Sequence, residues 1–286
     1  LTAAHGNTNL FSDEDPLRLK IVCRLSERYR FFHPMLEFIE VFWLRDGFDI
    51  ICGNPPWVNN AFDELGIISE KYPEVAIRKI SAPEIRKKRD EMFINMPVTE
   101  HIYRTEEVGT ACTGVFINAY CNYPLLQGMR INLYKCVLEN GFSMMSEKGC
   151  MGLLHPETIY DDPKGQPLRK EVYPRLRYHF QYENELNLFS GTNDHGRMRF
   201  GENVYGSSQN EIDFLNMNNV FHPSTIDACF AHDGHGICGG IKDENGKWNV
   251  NAHKDRIVHF TETELRVLSE AFEDGADWQS VKLTSI

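Results

Sequence analysis

Ten residues, Phe48-Asp-Ile-Ile-Cys-Gly-Asn-Pro-Pro-Trp57, restrict what this chain can fold into more than any other stretch. The apolar run Ile50-Ile51-Cys52 predicts a short buried strand, and Gly53-Asn54 breaks it. Pro55 and Pro56 have no N–H to give to a ladder and hold φ at about −65°. Each also pushes the residue before it out of the helical region. The strand therefore stops at Asn54, and Asn54 to Trp57 form a stiff loop at its carboxyl end, the edge at which open α/β sheets bind ligands.

That loop presents an amide, backbone carbonyls and an indole on a rigid support. Such a set suits a planar, weakly nucleophilic amine like the exocyclic nitrogen of adenine. The Asn54 side-chain oxygen and the Pro55 carbonyl can each accept one amino hydrogen, drawing the nitrogen towards sp³ and aiming its lone pair at an electrophilic methyl group. Trp57 offers a flat face for the base, a stacking contact worth about 1–3 kcal/mol. A neutral amide suffices, because the product ammonium is acidic and loses its proton to water.

Asn54-Pro55-Pro56-Trp57 resembles motif IV, Asn-Pro-Pro-Tyr/Phe/Trp, of the adenine-specific DNA methyltransferases that use S-adenosylmethionine (SAM). Asn132-Leu-Tyr134 followed by a helix, and Lys148-Gly149 followed by a strand closed by His155-Pro156, are similar to the segment after motif IV in that family. The family strand usually ends in Val-Pro, so His155 is a departure. His179-Phe-Gln-Tyr-Glu-Asn-Glu-Leu-Asn-Leu-Phe189 is similar to the large adenine methyltransferases of bacterial restriction-modification and phage-defence systems.

The resemblance implies an α/β fold, the carboxyl-terminal half of a Rossmann-like class I SAM-dependent methyltransferase sheet. Asn54, Pro55, Pro56 and Trp57 are then the catalytic residues, acting on an adenine flipped out of DNA. The cofactor is SAM, held by a glycine-rich turn expected before Leu1, so no SAM-contacting residue is assigned. DNA and other defence-system subunits are the expected partners, and the cytoplasm the expected location. The same tetrapeptide serves protein-glutamine methyltransferases, so RNA adenine or protein glutamine remains an alternative substrate. A defence-complex scaffold that keeps the loop without binding cofactor is the alternative from another class.

The remaining sequence sets the organisation. With 286 residues, 42% hydrophobic and 25% charged, the chain has the composition of a globular protein with a full core. Leu1 in place of Met leads to the expectation of a piece of something longer, and no apolar run reaches the ~20 residues of a membrane span. Eight scattered cysteines read as reduced, buried thiols rather than a disulfide framework. A net charge of −11 argues against this segment alone being a nucleic-acid clamp; basic clusters such as Arg86-Lys87-Lys88-Arg89 exist but each sits among acids, so phosphate contacts, if DNA is bound, come from a few local patches or from elsewhere.

Residues 1–206 are read as a partial catalytic domain and 207–286 as a loop-rich extension that starts a following domain. A helix is predicted over Pro16–Tyr29, capped by Ser12 or Asp13, with Leu17, Ile21 and Leu25 on one face, followed by an aromatic approach, Phe31 to Phe42. His33 reads as structural. About 59–113 is a polar insertion, a lid, a DNA-facing element or a solvated spacer, with helical pieces at Ser81–Met92 and His101–Glu107. Apolar or small residues at 131, 134, 138, 142 and 145 form a helical stripe. A turn at Glu147-Lys-Gly149 and a buried strand Cys150–Leu154 complete a βαβ unit with parallel pairing.

A polar loop from Tyr160 to Gly165, a helix over Leu168–Leu176 and a half-buried strand carrying Tyr178, Phe180 and Tyr182 follow. Met198–Gly201 and Asn203–Gly206 are expected to supply the last strand or hairpin of the sheet. No metal is expected: Cys229, His232, His235 and Cys238 recur every three residues, a spacing unlike paired structural zinc ligands. Thr261 with Glu264 is a capping box that opens a helix to Phe272.

Overall fold

The computed structural model describes residues 16–78, 80–189, 199–275 and 277–283, and the chain divides into two units, Leu1–Gly47 and Phe48–Ile286. The first unit contains α1 (Pro16–Tyr29), α2 (Pro34–Glu37) and α3 (Ile39–Arg45). The predicted stripe of Leu17, Ile21 and Leu25 forms on α1 but is exposed. The expected caps Ser12 and Asp13 lie outside the described residues. The aromatic approach is helical, because Pro34 takes the first turn of α2, where its missing N–H costs nothing. Asp46, in the left-handed conformation (φ 58°), ends α3.

The second unit is built on a mixed sheet of six described strands in the order β1-β2-β4-β3-β5-β6. These are β1 (Phe48–Gly53), β2 (Met145–Pro156), β3 (Leu176–Glu183), β4 (Arg199–Tyr205), β5 (Phe214–Val220) and β6 (Val258–Phe260). β1 runs parallel to β2 and β3 to β5, while β2–β4, β3–β4 and β5–β6 are antiparallel. The expected α/β class and the parallel β1–β2 pairing are both present.

Between β1 and β2 come α4 (Glu64–Ser69), α5 (Glu74–Arg78), α6 (Ala82–Asn95), α7 (Pro97–Asn118) and α8 (Leu133–Met144). Asn132 caps α8 by accepting from the Tyr134 N–H, and Tyr134 and Leu138 are fully buried. A Cβ on Gly141 would overlap the Met151 sulfur, so glycine is what lets α8 lie this close to β2. The insertion has its own core, in which Ile68, Val75, Met92 and Tyr103 are buried against Phe62, Tyr72 and Phe93. It is a packed helical body rather than a loose spacer.

After β2 follow α9 (Thr158–Asp161) and α10 (Gln166–Val172), and after β5 follow α11 (Ser224–Ala231) and, beyond β6, α12 (Glu262–Phe272). Leu138, Leu168, Val172, Leu265 and Leu268 of α8, α10 and α12 share one core with Met151, Leu153, Leu176 and Tyr205 of the sheet. The opposite face carries Phe180, Phe200 and Met217 against Ile226 and Cys229 of α11.

Several expectations are corrected. The strand Ile50-Ile51-Cys52 exists but is not buried: Ile50 is 76% exposed and Cys52 exposed. β1 lies at the sheet edge, and a Cβ added to Gly152, the partner of Cys52, would meet nothing within 4 Å, so the face carrying Ile50 and Cys52 is uncovered there among the described residues. Of the eight free cysteines only Cys136 and Cys229 are buried. Glu147-Lys148-Gly149 is no terminal turn but the middle of β2, where the register slips from Phe48↔Met145 to Ile50↔Cys150. β4 is one central strand rather than a last strand or hairpin; Met198 lies outside the described residues.

β3 is buried on both faces at His179 to Tyr182, not half-buried, and Tyr160 is a buried residue of α9 rather than part of a polar loop. The boundary drawn after residue 206 falls between two parts of one sheet, since β5 and β6 extend it and α12 packs into the same core. The carboxyl end is tied in as well. The buried Arg169 donates to the carbonyls of Ser280 (2.6 Å), Ile159 (3.1 Å) and Asp162 (2.7 Å), and the Tyr173 hydroxyl donates to Val281 O (2.5 Å).

Candidate active site at the carboxyl ends of β1 and β2

The chain leaves β1 at Gly53 and enters the proline loop with Asn54 exposed, Pro55 buried, Pro56 exposed and Trp57 half-buried. The loop is fixed from three sides. The Trp57 indole N–H donates to Leu154 O on β2 (3.1 Å), and its ring meets Phe200 at 5.7 Å and the edge of Phe189 at 5.9 Å. The Leu133 N–H donates to Val58 O (2.9 Å), and Asn59 forms a bridge with Asn132. Asn60 Nδ2 reaches Thr110 O on α7 (3.0 Å), which joins the insertion to the loop.

Asn54, Pro55, Pro56 and Trp57 line a cavity of about 260 Å³ together with Asn184, Phe189 and Phe200. All four sequence-predicted residues are therefore brought to one hollow. Among the described residues no group bonds the Asn54 amide or the Pro55 carbonyl. Both acceptors remain available to an incoming amine. The other three lining residues went unnoticed as site residues in the sequence. Asn184 accepts from the Leu188 N–H (2.7 Å), and Asn187 adopts a left-handed turn (φ 53°), which together fold Phe189 back over the loop. The sequence placed Asn184 and Phe189 in the His179–Phe189 stretch and Phe200 in an expected strand or hairpin, without giving any of them a site role. A wider apolar groove of about 480 Å³, with Cys52, Leu154, Tyr182 and Glu202 in its lining, adjoins through the shared Phe189 and Phe200.

No protein-family model and no curated protein matches this chain. Among solved structures it is similar to a type I restriction-modification methyltransferase subunit from Streptococcus thermophilus, at 10% identity over 41% of this chain and 27% of that one, with a TM-score of 0.30. It is similar to the type IIG restriction endonuclease BpuSI at 14% identity over 52% and 16% of the two chains (TM-score 0.31). A nuclease-deletion mutant of the type ISP restriction-modification enzyme LlaGI, in complex with a DNA substrate mimic, overlaps at 14% identity over 41% and 11% (TM-score 0.25). The chain spans under a third of the length of each of these proteins.

Behind the loop, the end of β2 is anchored by buried polar groups. His155 lies parallel to Tyr134 (ring centroids 5.0 Å apart) and Tyr205 (6.3 Å). Its Nδ1 faces Pro156 O (2.9 Å), a pure acceptor, so Nδ1 carries the proton and Nε2 accepts from the Tyr205 hydroxyl (2.7 Å). Burial pushes the His155 pKa down to about 4. A neutral histidine at the end of β2 thus links β2, β4 and α8.

Two residues on, Glu157 accepts from His179 Nε2 (3.0 Å) and Gln181 Nε2 (3.1 Å), and His179 Nδ1 donates to Asn216 Oδ1 (2.6 Å). Both ring nitrogens of His179 face acceptors, a setting that favours its protonated form. Burial alone raises the Glu157 carboxyl, but His179, Gln181 and His155 outweigh it and hold the carboxyl below its ordinary value. Burial lowers His179, yet Glu157 and Asn216 bring it above the ordinary imidazole value. A Cβ on Gly201 would overlap Glu157 Oε1, so this position on β4 admits only glycine while the carboxylate stays in place.

The Cys229-His232-His235-Cys238 series does not converge. Cys229 is buried and accepts from the His253 N–H (3.4 Å), while His235 and Cys238 are exposed. The His232 and His253 rings lie 4.7 Å apart, but the Nδ1 atoms accept from the Gly234 and Asp255 N–H groups. Among the described residues no group of three or more His, Cys, Asp or Glu side chains is placed to hold a metal ion. His33 is exposed at the start of α2, and no described helix is long and apolar enough to cross a membrane.

Proposed function

We propose that this chain is the amine-holding part of a SAM-dependent DNA adenine-N6 methyltransferase of a restriction-modification or phage-defence system. The observation that carries the reading is the pairing of two unengaged acceptors, the Asn54 amide oxygen and the Pro55 carbonyl, beside an aromatic-walled cavity. A flipped adenine entering this cavity places its ring against Trp57 and Phe189 and its amino hydrogens on the two acceptors. Its lone pair is then released from the ring and directed outwards, towards a methyl donor. The indole bond to Leu154 O holds the wall in position before the base arrives, which lowers the ordering cost of capture.

The described residues do not fit SAM itself. No described glycine-rich turn joins a strand to a helix in the manner that lets a backbone approach a cofactor. The glycine-rich segment 234–246 follows α11, not a strand. The reading therefore assigns these residues the capture and polarisation of the amine and leaves the donor to be bound elsewhere.

The test is Asn54→Ala in the full-length protein, assayed with labelled SAM on genomic DNA. Because the lost acceptor acts as the amine reacts, kcat is expected to fall by at least about 100-fold, roughly the cost of removing one transition-state hydrogen-bonding group. Folding should be unaffected, since Asn54 is exposed and unbonded. Near wild-type methylation would end the reading.

A further inference from the structure

We propose that the α5–α6 hairpin of the insertion is a duplex-DNA backbone contact surface that sets the target beside the proline loop. The inference rests on the DNA reading above and deepens it. Between Lys71 and Arg89 the sequence carries seven Lys or Arg residues against two Glu, in a chain whose net charge is −11. Charge of the opposite sign is thus concentrated in one short segment.

The structure separates the cations that are spoken for from those that are not. Lys88 lies 3.6 Å from Glu74 and 4.8 Å over the Tyr72 ring, and Arg89 pairs with Glu64 (3.3 Å) and Asp90 (3.0 Å). These two fix α6 on α4 and α5. The Glu84 carboxylate is occupied by the Ser81 capping box, which keeps it below its ordinary pKa. Lys71, Arg78, Arg86 and Lys87 remain exposed, and among the described residues no group pairs with them.

The contact from Lys88 to Tyr72 and Glu74 packs the turn carrying Lys71 beside α6, while Arg78 closes α5 just ahead of it. Arg86 and Lys87 are thus displayed on α6 and Lys71 and Arg78 on either side of α5, two helices that both pack into the insertion core. Ile77, 80% exposed, stands among them; an apolar side chain flanked by cations suits the sugar edge of a groove. The insertion is joined to the proline loop through Asn60 and Thr110, so a duplex on this hairpin is held in register with the cavity. A solvated charge run without a partner would have no need of such support.

The test measures binding of the purified full chain to a fluorescent 30-base-pair duplex by anisotropy between 50 and 200 mM KCl. Arg86→Gln/Lys87→Gln is compared with the charge-keeping Arg86→Lys/Lys87→Arg, with circular dichroism confirming the fold of each. Loss of two phosphate contacts lowers the slope of log K against log salt by about 1.8. The glutamine pair should show that loss and at least about tenfold weaker binding at 50 mM KCl, and the charge-keeping pair should bind as wild type does. Methylation by the full-length protein is read separately. If it methylates duplex DNA while the glutamine pair keeps the wild-type slope and affinity, the hairpin assignment is overturned and the adenine reading stands. If the hairpin effect is present but no DNA is methylated, the reading fails and the surface stands. Binding of the wild-type chain to single-stranded RNA or an acidic peptide but not to the duplex overturns the hairpin assignment.

Discussion

Replacement of His179 by leucine isolates the contribution of the buried pair behind the loop. His179 and Glu157 have side chains 1% and 10% exposed, so the carboxylate left behind cannot reach water without local opening. Its remaining protein donor is Gln181 Nε2 at 3.1 Å. Breaking a buried pair by removing one partner costs about 3–5 kcal/mol. For a unit of this size each kcal/mol corresponds to about 2–4 °C, so Tm should fall by about 6–20 °C. Glu157→Gln in the same chain removes the stranded charge while keeping a hydrogen bond to Gln181, and the double variant should regain at least half of the loss.

The pH dependence gives the sign. Glu157 is held below the ordinary carboxylate value in the folded protein, so its contribution is present above that value and lost as pH falls through the folded pKa. His179 is held above the ordinary imidazole value, so its contribution is present below that value and lost as pH rises through the folded pKa. The wild-type pair is therefore strongest between the two. Without His179, burial raises the carboxyl, and stability should instead decline as pH rises above the ordinary carboxylate range. The single variant is expected to lie closer to wild type at pH 5 than at pH 7, in urea unfolding followed by circular dichroism. A cost under about 1 kcal/mol at pH 7, or a double variant no better than the single, would refute the reasoning.

Three further outcomes follow from the same geometry. His155 is neutral when folded, with its pKa at about 4 against 6.5 unperturbed, so acidification through that window should cost about 3 kcal/mol, and His155→Leu should remove that part of the acid sensitivity in a pH series of urea melts. Trp57→Phe keeps a ring but loses the bond to Leu154 O, costing about 0.5–1.5 kcal/mol and leaving the flipping signal of a fluorescent base analogue largely intact; Trp57→Ala should cost about 3–5 kcal/mol and abolish that signal. Arg169→Met removes a donor to three carbonyls and should cost about 2–4 kcal/mol, with hydrogen exchange at Ser280 and Val281 accelerated well beyond that of β2.

Local chemistry accounts for what was legible in the sequence. Two prolines after an apolar run fix where β1 stops, and the Thr261 capping box fixes where α12 starts, because caps and proline act within a few residues. Burial was misjudged wherever it depended on a distant neighbour. Ile50 sits on an edge strand with an uncovered face, and His179 and Gln181 are buried by Glu157 and Asn216 from other elements. The same limit applied to the site. Asn54 to Trp57 are contiguous and could be read, whereas Phe189 and Phe200 reach the cavity only through the β3–β4 pairing. Cys229 found its neighbour in His253, 24 residues away, rather than in the regularly spaced His232.

The bridge between Asn59 and Asn132 has a consequence for how such a chain can change. The excursion carrying α4 to α7 leaves and returns at two residues already bonded to each other, with its own core between. The closure entropy of that excursion varies only with the logarithm of its length, about 0.6 kcal/mol per doubling. Only α4 to α6 are therefore exchangeable, because Ile117, Leu126 and Met129 of the same excursion belong to the main core and Thr110 holds Asn60. Grafting another body in place of α4 to α6, with α7 and the segment up to Asn132 kept, leaves the Val58–Leu133 bond, the Asn60–Thr110 bond and the proline loop where they are. Diversification of that body can proceed there without any substitution in Asn54 to Trp57.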